Sequence, residues 1–204
     1  MIKPPFINFR HIALAISLLL TTPAMANTAD EAVATIEKLH EALLEVMQQA
    51  STLGFNGRVE KLNPVLNETF DFSTIARIVT GQHWKALEET KQNEFIEVFR
   101  RLSAATYASN FSGFSGEVFK TIGADEKRGR YVVRTAIVKN DGEEIPLNYV
   151  VSEKDGLWQI VNVIAAGVSD LSLKRADYTA VINSEGFDSL LARLNDKVAS
   201  FPAK

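Results

Sequence analysis

The sequence predicts an α+β fold, with helices first, a curved antiparallel sheet next and helices again at the end. Three observations predict it. Apolar residues recur at three- and four-residue steps through the first half of the chain, from Val33 onward. At Phe111-Ser112-Gly113-Phe114-Ser115-Gly116 that period gives way to alternation, the two-residue repeat of a strand with one buried face. The alternating stretches are joined by tight-turn signals, which fits an antiparallel meander, because parallel strands need a crossover of a dozen or more residues.

The N-terminus comes before this fold. Met1 to Arg10 holds Lys3 and Arg10 and no acid, Ile12 to Leu20 is apolar or small throughout, and Ala24-Met25-Ala26 follows Pro23. A basic start, a short apolar run and a small-x-small site together read as a secretory signal peptide cut after Ala26. The apolar run is far shorter than the roughly 20 residues that cross a bilayer. Cleavage would remove residues 1–26 of the 204, leave residues 27–204 as a single domain and take the net charge from −3 to −5. The expected division is 27–116 mainly helical, 117–165 antiparallel sheet and 166–204 closing helices.

In the first helix Val33, Ile36, Leu39, Leu43, Leu44 and Met47 form one stripe, to about Ala50. Leu53-Gly54-Phe55-Asn56-Gly57 predicts a break, and a second helix runs from Arg58 to Leu66. Phe70-Asp71-Phe72-Ser73 opens a third, ended by Gly81. The strongest helix follows Trp84 and Leu87, with Phe95, Val98, Phe99, Leu102 and Ala105 on one face and a Glu97–Arg101 pair on the other. Strands are expected over Val118–Ile122, over Arg130–Lys139 and, after the Asn140-Asp141-Gly142 turn, around Ile145, Leu147, Tyr149 and Val151. A second turn at Glu153-Lys154-Asp155-Gly156 leads to a last strand, Leu157–Ile164. At Gly167-Val168-Ser169-Asp170 the chain leaves the sheet for helices over Leu171–Ile182 and Phe187–Val198.

Composition narrows the functional classes. A mildly acidic surface disfavours nucleic acid and a standing electrostatic hold on anionic membranes. With no cysteine, disulfides and thiolate metal sites are excluded. Of the three histidines, His40 and His83 lie outside the leader. His40 reads as a surface residue beside the main stripe and His83 as structural, so no metal site and no cofactor are expected. Gly113-Phe114-Ser115-Gly116 has the wrong spacing for a nucleophile elbow and sits between a helix and a strand, the reverse of what an elbow needs. Asp141, Glu143 and Glu144 mark a solvated hairpin tip. An enzyme of small curved sheets would use an acid or a Tyr–Asp pair. Asp71, Asp125, Tyr131 and Tyr149 are the candidates and form no constellation in the sequence, so no catalysis is expected. What stands out is 12 Phe, 4 Tyr and 2 Trp, many on the inward faces. Such a sheet with a long helix across its mouth leaves room for an apolar cavity.

The run Phe70-Asp71-Phe72-Ser73-Thr74-Ile75-Ala76-Arg77-Ile78-Val79-Thr80-Gly81, with Trp84, Phe95, Phe99 and Tyr107 after it, resembles the MlaC family, also called the toluene-tolerance auxiliary family. So do Trp158 to Ser169, Tyr178 and Gly186-Phe187-Asp188-Ser189-Leu190. The resemblance implies a nuclear-transport-factor-like curved sheet with a helical subdomain packed across it. It implies a periplasmic carrier of diacyl phospholipid, working between an inner-membrane MCE-domain protein with its ABC transporter and an outer-membrane lipoprotein–porin complex; nothing in the sequence demands more than a monomer. A hopanoid-associated branch is similar. Asn162 and Ala166 depart from the pattern, because many relatives carry an acid at each. On this reading acyl chains lie between the helix around Phe95, Phe99, Leu102 and Tyr107 and the sheet face of Val133, Ile137, Leu147, Tyr149, Trp158 and Ile160, with Phe72, Ile75 and Trp84 closing one end. A periplasmic adaptor with a filled core and a small-pocket enzyme are the rival readings.

Overall fold

The computed structural model describes residues 28–202; the expected leader, residues 1–26, lies outside the described residues. Helix α1 (Thr28–Gln48) buries Ile36, Leu39, His40, Leu43 and Val46. Helix α2 (Ala50–Thr69) follows with scarcely a gap. The break expected across residues 53–57 is confined to Gly54, whose φ of 60° and ψ of −171° kink the helix. Gly57 stays within the helix, so α2 starts earlier and ends later than the spacing predicts and carries Pro64 inside it. Buried Arg58 ties this kinked region to its neighbour: its Nε donates to the Ala108 carbonyl at 2.8 Å and its Nη1 to the Ala50 carbonyl at 3.0 Å. The Ala108 carbonyl lies in the last turn of α4, where carbonyls lack an intrahelical partner.

Asp71 caps α3 (Phe72–Thr80), its carboxylate accepting from the Thr74 N–H at 2.9 Å. A 3₁₀ turn, Gly81–Ala86, leads to α4 (Glu89–Asn110). On α4, Glu97 pairs with Arg100 at 3.0 Å, not with Arg101 as the four-residue spacing suggests. Arg101 instead reaches Asn195 at 2.9 Å, a contact between helices that no local rule foresees.

The sheet comprises β1 (Val118–Glu126), β2 (Arg130–Val138), β3 (Glu144–Lys154), β4 (Leu157–Ala165) and β5 (Val168–Ser169), paired antiparallel in that order. Strand β1 runs past the expected end at Ile122 because a bulge between Thr121 and Gly123 lets pairing continue. Strand β5 was not expected. Ala166 and Gly167 take φ values of 48° and 82°, folding two residues back against Ile164 and Ala165; a strand that short shows no period. Helices α5 (Asp170–Glu185) and α6 (Phe187–Ala199) close the chain.

Cross-strand neighbours Val133–Tyr149, Ile137–Ile145, Leu147–Ala165 and Val151–Ile160 share the inward face of the sheet. Helix α1 covers the half of that face around Tyr131, Tyr149 and Trp158. Thr35 Oγ1 donates to the Trp158 carbonyl at 2.8 Å, and Trp158 Nε1 donates to Glu31 at 3.2 Å. The other half faces α3, α4, α5 and α6.

Candidate functional site

Between that second half and the four helices lies a cavity of about 650 Å³. Its size falls within the range of sites that hold small molecules. Phe70, Phe72 and Ile75 come from the α2–α3 corner, Phe99, Leu102 and Tyr107 from α4, and Ile137, Ile145, Leu147, Val163 and Ala165 from the sheet. Leu171, Tyr178 and Val181 of α5 and Leu190 and Leu194 of α6 complete the wall. Polar side chains gather where α5 and α6 meet solvent: Asp170, Lys174, Asp177, Arg193 and Lys197. Lys174 pairs with Asp170, and Arg193 with Glu185 at 2.6 Å. Asn162 also lines the cavity; its Oδ1 accepts from Ser169 Oγ at 3.1 Å and from the Leu171 N–H at 3.2 Å. A carboxylate would accept the same two bonds, so the asparagine keeps the start of α5 in place without a charge.

Of the residues proposed from sequence, Phe72, Ile75, Phe99, Leu102, Tyr107, Ile137 and Leu147 line this cavity. Phe95 lies behind the wall, fully buried, packed edge-on to Trp84 and Tyr178 and stacked on Phe99. Val133, Tyr149, Trp158 and Ile160 belong to the half of the sheet face beneath α1. Periodicity places all of these on one face and gives no sign of which part meets a helix and which a cavity. Sequence reasoning missed the α5 and α6 contributions, Phe70, Phe111, Ile145 and the polar edge. The one available signal was the leucine stripe of α6, which needs an apolar surface to cover.

His40 corrects the expectation of a surface residue. It is only 5% exposed, because it lies four residues after Ile36, on the same helical face. Its ring stacks on Phe119 with centroids 4.2 Å apart, and its Nε2 shares a hydrogen bond with the Tyr149 hydroxyl at 3.0 Å. Burial lowers its pKa from 6.5 to about 4, so the ring is neutral at neutral pH. Burial likewise pushes the Tyr149 phenol well above its ordinary value.

The acid and tyrosine candidates for catalysis each have a separate partner. Asp71 caps α3 and lies 3.6 Å from Lys154. Asp125 pairs with Arg134 at 2.7 Å, and Tyr131 bonds Thr28 at 2.9 Å. Ser115 is exposed, and its backbone N–H donates to Glu117. Among the described residues, no three His, Cys, Asp or Glu side chains group to hold a metal ion, and no helix is long and apolar enough to cross a membrane.

Known proteins share this architecture. A solved phospholipid-binding protein from Ralstonia solanacearum, in complex with a phospholipid, superposes with a TM-score of 0.72 at 20% identity, covering 84% of this chain and 98% of that one. The intermembrane phospholipid transport system binding protein MlaC of Haemophilus influenzae is 22% identical over 127 residues, 59% of each chain. The chain thus matches about three fifths of that relative's length. The MlaC protein family model matches residues 37–196, from the middle of α1 to near the end of α6, and the chain therefore belongs to the MlaC family.

Proposed function

We propose that this protein is a periplasmic lipid-binding carrier that shelters the acyl chains of a diacyl phospholipid in the cavity beneath α5 and α6 and leaves the head group at the polar edge. The observation that carries the reading is the cavity itself, apolar within and bordered by Lys174, Arg193 and Lys197. The phospholipid in the Ralstonia relative and the transport role in the Haemophilus relative's name support it.

At about 30 Å³ per methylene, close to water's share of liquid volume, 650 Å³ accommodates on the order of 20 methylenes. Each contributes about 0.8 kcal/mol on leaving water, so the gross gain is on the order of 16 kcal/mol. A bilayer offers the same gain, so exchange between membrane and carrier is near neutral and needs no catalytic group or energy source in this chain. Direction would come from the proposed partners, an inner-membrane MCE-domain protein with an ABC transporter and an outer-membrane lipoprotein–porin complex. We take the carrier to be a monomer, since one chain supplies both the apolar wall and the polar edge of the cavity.

Transfer of labelled phospholipid between donor and acceptor vesicles tests the reading. The protein should accelerate transfer in proportion to its concentration. Transfer at the spontaneous rate, with lipid-free protein recovered, would reject the carrier reading in favour of an adaptor.

A further inference from the structure

The chain has four tyrosines, and they divide into two kinds. The Tyr131 hydroxyl bonds Thr28 and the Tyr149 hydroxyl bonds His40. Tyr107 and Tyr178 line the cavity, and among the described residues neither hydroxyl has a hydrogen-bond partner. Nor is either sealed away. Among the described residues the sole fully enclosed side-chain nitrogen or oxygen without a partner is Arg100 Nε, so neither hydroxyl is fully enclosed, and both residues line the cavity.

Their rings are fixed. Tyr107 stacks on Phe111 and meets Phe70 edge-on, while Tyr178 stands edge-on to Phe95 and Phe99. The two phenols therefore present set positions from facing helices, α4 and α5. Burial first, and then the carboxylate of Asp170 at the polar edge, push both phenols above their ordinary pKa. Both stay protonated, as donors. Asp170 also lines the cavity and acts on both phenols, and the buried Tyr149 phenol in turn feels that of Tyr107.

Hydrocarbon offers such donors nothing, and a phenol left unpaired in a dry cavity loses its hydrogen bond to water. We propose that the Tyr107 and Tyr178 hydroxyls donate to the ester carbonyls of a glycerophospholipid, so that the cavity selects ester-linked lipid over lipids without a carbonyl at that position, such as ether-linked lipids, whose ether oxygens are weaker acceptors, or polycyclic lipids. This rests on the carrier reading and names its substrate class.

The test pairs two phospholipids with the same head group and chain length, one with ester and one with ether linkages. They compete for the lipid-stripped full-length mature protein, and occupancy is read by native mass spectrometry. One hydrogen bond is worth about a five-fold preference. The wild type should favour the ester lipid by roughly ten- to thirty-fold, Tyr107→Phe and Tyr178→Phe by about five-fold each, and the double variant not at all. A wild-type ratio near one overturns the inference without needing any variant to fold. So does an undiminished ratio in the folded, loaded double variant. Loading of neither lipid by the wild type overturns the carrier reading and this inference with it.

Discussion

Leu147→Asp puts the cavity to the sharpest use. Leu147 is 9% exposed and sits mid-strand in the cavity wall, paired across the sheet with Ala165. Without lipid, an aspartate there can hold water in the cavity. Against a seated acyl chain, the carboxylate must either remain charged in hydrocarbon, which costs several kcal/mol, or take up a proton. Protonation at pH 7 of a carboxyl with an ordinary pKa near 3.9 costs about 4 kcal/mol, at 1.36 kcal/mol per unit. Loading should therefore weaken by about a thousand-fold and recover roughly ten-fold per unit as pH falls toward 4. The control is Leu157→Asp, which makes the same chemical change at a 62% exposed position outside the cavity wall and should load normally. Native mass spectrometry after incubation with vesicles, with circular dichroism to establish folding, reads both variants. Folded Leu147→Asp carrying lipid at wild-type stoichiometry would refute the assignment of the wall.

Other consequences follow from the surrounding structure. His40 binds a proton at a lower pH folded than unfolded, so between pH 6.5 and about 4 the unfolded chain takes up more protons. Stability should fall across that window as pH falls, by up to about 3 kcal/mol. Urea denaturation should show that slope flattened in His40→Gln, which still offers Tyr149 a hydrogen bond; an equal slope would mean that other groups dominate. Gly54→Ala meets no atom within 4 Å, so its cost is that of the backbone alone. With φ at 60° and ψ at −171°, that is about 1–3 kcal/mol, readable as a shifted urea midpoint; no shift would mean the kink is free to relax. Arg58→Met removes the side-chain donors to the Ala50 and Ala108 carbonyls and should destabilise by about 2–4 kcal/mol, measured by the same titration.

The sequence made the fold legible wherever local and global signals agreed. The stripes of α1 and α4, the start of α3, the hairpin turns and the alternation of β2 and β3 all lie where local spacing puts them. It was less legible where geometry is settled by one residue or by contact at a distance. The left-handed backbone at Gly54 kinks a helix where two glycines suggest a break, and the positive φ of Ala166 and Gly167 creates β5. For the cavity, the α4 and sheet-side wall could be read from apolar periodicity. The α5 and α6 wall could not, because α5 has only weak amphipathic character and its Tyr178 is contributed between polar neighbours. Nor could the sequence separate Leu147, in the cavity wall, from Tyr149 two residues on, whose hydroxyl meets His40. The two share a face and differ only in what lies above it.

The most direct test of the carrier reading is mass spectrometry of the protein purified from cells without detergent, intact under native conditions and again after organic extraction. One phospholipid should travel with each folded chain and be released intact by extraction, its fatty acids ester-linked. A lipid-free mass that persists after incubation with phospholipid vesicles would contradict it, and the cavity residues would revert to the lining of an incompletely filled core.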